Sequence, residues 1–184
     1  MLLTRLLILD VDGVLTDGTK VYDKDHNVLS KRFMCKDFSA IKRFIAAGIK
    51  VVMISGDSWN REMAQKRNID FYCTRDYGTL NLDKSVLLDQ FQKKYKAYRH
   101  HMTFVGDDYF DLSMFQALEN SFCTADSPDI IKQHASIVLK SKGGEGVIRE
   151  LYDLFIMKKW IREDPDMESV LELDRLEQTS QEMK

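Results

Sequence analysis

The chain has 184 residues, 44% apolar and 30% charged, so it can build one hydrophobic core and is not disordered by composition. Its 27 basic and 29 acidic residues leave a net charge of −2, which gives no positive field for nucleic acid or an anionic membrane surface. Three cysteines (Cys35, Cys73, Cys123) without a CxxC pair argue against a disulfide framework or zinc knuckle, and a reducing cytoplasm is the expected location.

The apolar run Leu6-Leu7-Ile8-Leu9 is too short for an export signal or a membrane span and reads as a buried strand ended by Asp10-Val11-Asp12-Gly13. Lys20 to Asp23 and Val28 to Phe33 flank a polar stretch, Lys24 to Asn27, and predict an inserted β-hairpin. Asp37 to Ala47 carries Phe38, Ile41, Phe44 and Ile45 at helical spacing, with Gly48 as its stop. A second buried strand, Lys50 to Ile54, leads through Ser55-Gly56-Asp57 into a helix from Ser58 to Arg67, and a third helix spans Asp83 to Tyr95. Met102 to Val105 is a third core strand that again ends in acid, at Gly106-Asp107-Asp108. Leu112 to Leu118 and Pro128 to His134 read as helices, Ser121 to Thr124 and Ile137 to Leu139 as strands. After the loop Gly143-Gly144-Glu145-Gly146 comes a helix, Val147 to Met157. The expected fold is therefore α/β: a Rossmann-like, doubly wound parallel sheet, whose ligands bind beyond the carboxyl ends of its strands. The expected organisation is one domain over 1–157, with the hairpin at about 20–33, and a charged helical tail over 158–184 with a frayed end, docked on a partner subunit or solvated.

Two strand ends carry Asp10, Asp12, Asp107 and Asp108, and in such a sheet these ends face one crevice. Four carboxylates together demand compensation, and a hard cation with oxygen ligands, Mg²⁺, supplies it. Single aspartates commonly cap helices or turns, which does not account for both clusters. Ser55-Gly56, a hydroxyl with free N–H groups at a helix start, reads as an anion site, and Lys84 can add positive charge to the same anion. A metal, an anion pocket and a free carboxylate together describe phosphoryl transfer through an aspartyl-phosphate. Asp10 is placed to be its nucleophile and Asp12 its proton donor and acceptor.

Asp10-Val11-Asp12-Gly13-Val14-Leu15-Thr16-Asp17-Gly18, Ile54-Ser55-Gly56, Lys84, and Gly106-Asp107-Asp108 with Asp111 resemble, in order, the four motifs of the haloacid dehalogenase superfamily of phosphatases. The hairpin and the late Gly-Gly-Glu-Gly loop resemble its sugar-acid branch. That branch includes octulosonate 8-phosphate phosphatases, nine-carbon (sialic-type) ulosonate 9-phosphate phosphatases, and domains attached to acylneuraminate cytidylyltransferases. The resemblance, which covers about residues 4–157, implies Asp10 as nucleophile, Asp12 as acid and base, and Ser55, Gly56 and Lys84 at the phosphate. It implies Mg²⁺ held by Asp10, Asp107 and the backbone carbonyl of Asp12, with Asp108 and Asp111 in support. It further implies the absence of a large cap domain and a homotetramer in which hairpins assemble and a neighbour helps close the site.

In this branch the octulosonate phosphatases usually carry Arg after the second-motif Gly and Arg in the late loop, where this chain has Asp57 and Glu145. Arg grips a carboxylate bidentately and an acid cannot. With Lys66 aligning to a lysine of the nine-carbon enzymes, the expectation is a nonulosonate 9-phosphate, with octulosonate 8-phosphate as the alternative. Asp37, Asp57, Lys66 and Glu145 are then candidate substrate contacts, with Lys36 and Arg149 weaker ones for substrate anions. His100 and His101 are expected to be exposed loop residues, and Trp59 and Trp160 to pack. Two other classes compete. A phospho-acceptor receiver domain would carry an adjacent acidic pair on its first strand, which this chain lacks. A non-catalytic tetramerisation module for a cytidylyltransferase would not need both Asp10 and Asp12.

Overall fold

The computed structural model describes residues 3–77 and 83–182, the side chains of 180–182 excepted. Chain order is β1 (Leu6–Asp10), the hairpin strands β2 (Val21–Tyr22) and β3 (Val28–Ser30), α1 (Cys35–Ala46), β4 (Lys50–Ser55), α2 (Asn60–Gln65) and β5 (Asp70–Cys73). After a tight turn at Lys84–Leu87 come α3 (Leu88–Tyr95), β6 (Met102–Gly106), α4 (Leu112–Ala117), β7 (Ser121–Cys123), α5 (Asp129–His134), β8 (Ile137–Val138), α6 (Val147–Met157) and α7 (Met167–Glu182).

Six strands form one parallel sheet in the order β5-β4-β1-β6-β7-β8, and the hairpin is a separate two-stranded sheet. β1 lies centrally, pairing Asp10 with Ile54 of β4 on one side and Leu9 with Val105 of β6 on the other. The sheet is the doubly wound one that the β-α alternation implies, with one strand more than the apolar runs predict. β5 is only four residues, Asp-Phe-Tyr-Cys, and sits at the sheet edge, so it lacks a long apolar signal.

Successive residues of β1 point to opposite faces, and each face has its own core. Leu7 and Leu9 pack with Ile41, Phe44, Leu151 and Phe155 on the α1/α6 side; Leu6 and Ile8 pack with Leu88, Phe91, Phe104 and Phe115 on the other. Phe44 meets both Tyr152 and Phe155 edge-on, fixing α1 against α6. With roughly 1.5–3 kcal/mol for each large apolar side chain buried on both faces, the strand ends are held on a stiff frame.

The charged segment after Trp160 forms α7, which lies on α1. Lys42 bonds Asp174 and, at 2.8 Å, Glu177; Arg67 approaches Glu177 at 3.6 Å. The frayed end expected for the tail includes residues outside the described ones. No described helix is long and apolar enough to cross a membrane.

Candidate active site

A cavity of about 350 Å³ opens where β5, β4, β1 and β6 all present their carboxyl ends, and Asp10, Asp12, Ser55, Gly56, Lys84 and Asp107 line it. Three carboxylates converge there: oxygens of Asp10, Asp107 and Asp111 lie within 4.8 Å of one another. The four acids of the two strand ends do not all join them. Asp12 lines the cavity outside that cluster, its carboxylate accepting from Lys31 (2.5 Å), Asn60 (2.8 Å) and Ser55 (3.2 Å). Asp108 accepts from the Tyr109 N–H at 2.7 Å and caps the turn Tyr109–Asp111, so capping accounts for this one aspartate.

Asp111 is fully committed within the protein. One oxygen takes Lys84 at 2.6 Å, the other the N–H groups of Asp107 (2.8 Å) and Asp108 (3.3 Å). Lys84, 4% exposed, bridges Asp111 to Asp10 at 2.9 Å. Burial pushes the Asp10 carboxyl up to about 7 despite Lys84, with Asp111 adding to the rise. Burial, then the charges of Asp10 and Asp111, push Asp107 up to about 9. One lysine does not balance three acids, two of them buried and Asp107 half-buried, and Asp107 Oδ1 is itself covered without a hydrogen-bond partner. An orphaned carboxylate oxygen beside the Asp10 carboxylate, with Asp111 close behind, fits a divalent cation such as Mg²⁺.

Two glycines build the close walls. At Gly13 φ is +87°, and a Cβ there would come within 2.0 Å of Asp107, so only glycine lets the β1 loop cross this carboxylate. A Cβ on Gly143 would meet the Gly13 carbonyl oxygen at 2.2 Å, and Gly144 donates to Val14 O at 3.0 Å. The late glycine loop thus supports the β1 loop from behind.

The four substrate candidates lie elsewhere or are already engaged. Asp57 lines the cavity, but its carboxylate is held by Lys20 (2.7 Å) and Lys31 (2.9 Å), which keep it far below the usual carboxylate range against the effect of burial. Asp37 does not line the cavity; it is buried and accepts from the Arg149 N–H at 2.9 Å, capping α6. Lys66, at the end of α2, pairs with Glu62 on the surface at 2.7 Å. Glu145 is exposed and also outside the cavity lining. Lys36 is exposed, and Arg149 pairs with Asp153 at 3.0 Å. Trp160 packs on Phe155, and Trp59 is 38% exposed beneath the Lys31 ammonium. His100 is exposed as expected, whereas His101 is half-buried in the turn Arg99–His101 that leads into β6, away from the aspartates.

Sequence reasoning missed Lys20, Lys31, Asn60, Thr74 and Arg75. Thr74 and Arg75 follow the overlooked β5 and line the cavity with Lys20. Asn60, fully buried at the start of α2 five residues after Ser55, had a signal in its spacing from the anion motif; the hairpin lysines had none, because their reach depends on how the hairpin folds over the sheet.

Residues 76–151 match the family of haloacid dehalogenase-like hydrolases. The chain is 32% identical over 152 residues to the 3-deoxy-D-manno-octulosonate 8-phosphate phosphatase of Haemophilus influenzae, covering 83% of this chain and 82% of the relative. The enzyme of the same name from Escherichia coli K12 is 30% identical over 154 residues, 83% of this chain and 79% of the relative. Among solved structures, the cobalt-bound deoxy-D-mannose-octulosonate 8-phosphate phosphatase of H. influenzae superposes with a TM-score of 0.75 at 31% identity, covering 84% of this chain and 88% of that one. The corresponding Yersinia pestis enzyme gives 0.76 at 27%, covering 88% and 85%. The strand-end aspartates, the shared sheet and the level of identity agree, and the chain belongs to the haloacid dehalogenase-like phosphatases, in the branch that includes the octulosonate 8-phosphate phosphatases.

Proposed function

We propose that this enzyme is a Mg²⁺-dependent phosphatase of a phosphorylated 2-keto-3-deoxy sugar acid, with 3-deoxy-D-manno-octulosonate 8-phosphate as its substrate. The observation that carries the chemistry is the convergence of Asp10 and the orphaned Asp107 oxygen beside Ser55 and Lys84 in one cavity. Similarity to the octulosonate enzymes supports the substrate. The expectation of a nine-carbon substrate rested on Asp57, Lys66 and Glu145. Two of these lie outside the cavity and the third is bound to two lysines, so the octulosonate reading takes precedence.

In this reading Asp10 and Asp107, with the Asp12 backbone carbonyl, hold Mg²⁺, while Asp108 and Asp111 support them. The cation supplies charge neutralisation for the carboxylates and the phosphate oxygens. Ser55, the N–H at Gly56 and Lys84 orient the phosphoryl group. A carboxylate oxygen of Asp10 attacks phosphorus, the ester P–O bond breaks, and Asp12 gives its proton to the departing sugar oxygen. Asp12 then takes a proton from a water whose oxygen attacks phosphorus, the bond to Asp10 breaks, and inorganic phosphate leaves. The hairpin exposes Val21, Tyr22 and Leu29, apolar surface that supports assembly as a homotetramer.

The test is steady-state phosphate release, with and without Mg²⁺, from octulosonate 8-phosphate, several nonulosonate 9-phosphates and hexose phosphates. The expected result is Mg²⁺-dependent turnover with the highest kcat/KM on the octulosonate. A preference for a nonulosonate would overturn the substrate and leave the chemistry. No turnover of any ester by folded protein would overturn both and favour a non-catalytic assembly module.

A further inference from the structure

Lys31 leaves the hairpin just after β3 and ends against Asp12. Its side chain is fully covered, and its ammonium reaches Asp12 Oδ1 at 2.5 Å, Asp57 Oδ2 at 2.9 Å and Asn60 Oδ1 at 2.9 Å. Three acceptors use all three of its N–H bonds, and the charge lies 5.3 Å from the ring centre of Trp59. Burying an ammonium is costly unless every bond is met, and a hairpin of two- and three-residue strands has little stability to spare. A lysine with no further role would point to solvent.

The far side of Asp12 is held too. Its second oxygen accepts from Asn60 and Ser55, and Asn60 bonds Asp12 through its nitrogen and Lys31 through its oxygen. Asp57, occupied by Lys20 and Lys31 together, anchors the hairpin lysine at this spot.

We propose that Lys31 is a positioning residue for proton transfer: it fixes the rotamer of the Asp12 carboxylate, so that the hairpin as well as the sheet sets the geometry of the acid–base step. The proposal rests on Asp12 serving as that acid and base. Lys31 itself neither gives nor takes a proton in the reaction.

Leaving-group dependence tests it. A sugar alkoxide leaves only if protonated, whereas 4-nitrophenolate leaves unaided, and kcat/KM reports the first phosphoryl transfer. Lys31→Met should lower kcat/KM for octulosonate 8-phosphate or a hexose phosphate roughly tenfold or more beyond any loss on 4-nitrophenyl phosphate, because general-acid contributions run to about 10²–10⁴-fold. Asp12→Asn sets the benchmark and should show the same selectivity. If it does and Lys31→Met affects both esters equally, or neither, the positioning role is overturned. If Asp12→Asn itself shows no selectivity, the acid role fails, and the proposal with it. Should Lys31→Met not fold, Lys31→Arg, which keeps the charge but not the geometry, takes the same test: selective loss supports the role and equal loss overturns it.

Discussion

Asp37, buried, and Asp107, half-buried, are both carboxylates that burial holds above their ordinary range, to about 6 and about 9, and each has a covered oxygen without a partner. What surrounds them differs. Asp37 sits between α1 and α6, where the Arg149 and Ile148 N–H groups at a helix start offset part of its burial. Asp107 has Asp10 and Asp111 beside it, and their charges add to its rise. A buried acid fed by backbone donors completes the fold. Acids crowded on one another fit a site, because a further cation would offset their charge without protonating them.

That contrast can be broken by mutation. The largest effect is expected at the crevice: Asp10→Asn should bring Mg²⁺-dependent phosphate release to background, measured by steady-state kinetics, with the fold retained by circular dichroism. Next comes Gly13→Ala, which adds a Cβ at 2.0 Å from Asp107 in a left-handed backbone. It should cost about 1–3 kcal/mol in denaturant unfolding and remove the Mg²⁺ response.

Smaller effects sharpen the comparison. For wild type, Mg²⁺ at about 100 times its Kd should stabilise by about 2.7 kcal/mol, a rise of roughly 5–10 °C in Tm by scanning calorimetry. Asp37→Asn should leave that rise intact. The Asp37 carboxyl is raised in the folded state, so its protonated form favours folding. Its contribution is fully present below about pH 3.8 and is lost as pH rises from there through about 6. The loss is about 3 kcal/mol for a shift from 3.8 to about 6, and Asp37→Asn should flatten that slope in denaturant titrations across pH 4–7. Least affected should be Lys42→Ala, which removes partly exposed ion pairs from α1 to α7; a loss under about 1 kcal/mol is expected.

The strand-end acids were readable because a buried parallel strand announces itself as an apolar run and its carboxyl end is where ligands bind. Leu6 to Asp10 and Met102 to Asp107 show this directly. β5 was not readable, since Asp70 opens it and an edge strand of four residues resembles a loop, and Thr74 and Arg75 were lost with it. Spacing also does not say which way a side chain turns. Asp12 and Asp108 were expected in one cluster, yet the first turns to Lys31 and the second caps a turn, while Asp111 faces the crevice. Lys66 and Glu145 follow the site's motifs in sequence but face outward, one paired with Glu62 along the solvent side of α2 and the other on a glycine loop that presents backbone to the β1 loop.

The most direct measurement is phosphate release from octulosonate 8-phosphate by wild type and Asp10→Asn in excess Mg²⁺, each repeated with the metal chelated. The account predicts turnover by the wild type with Mg²⁺ and by neither protein otherwise. Turnover that survives Asp10→Asn in Mg²⁺ would contradict it.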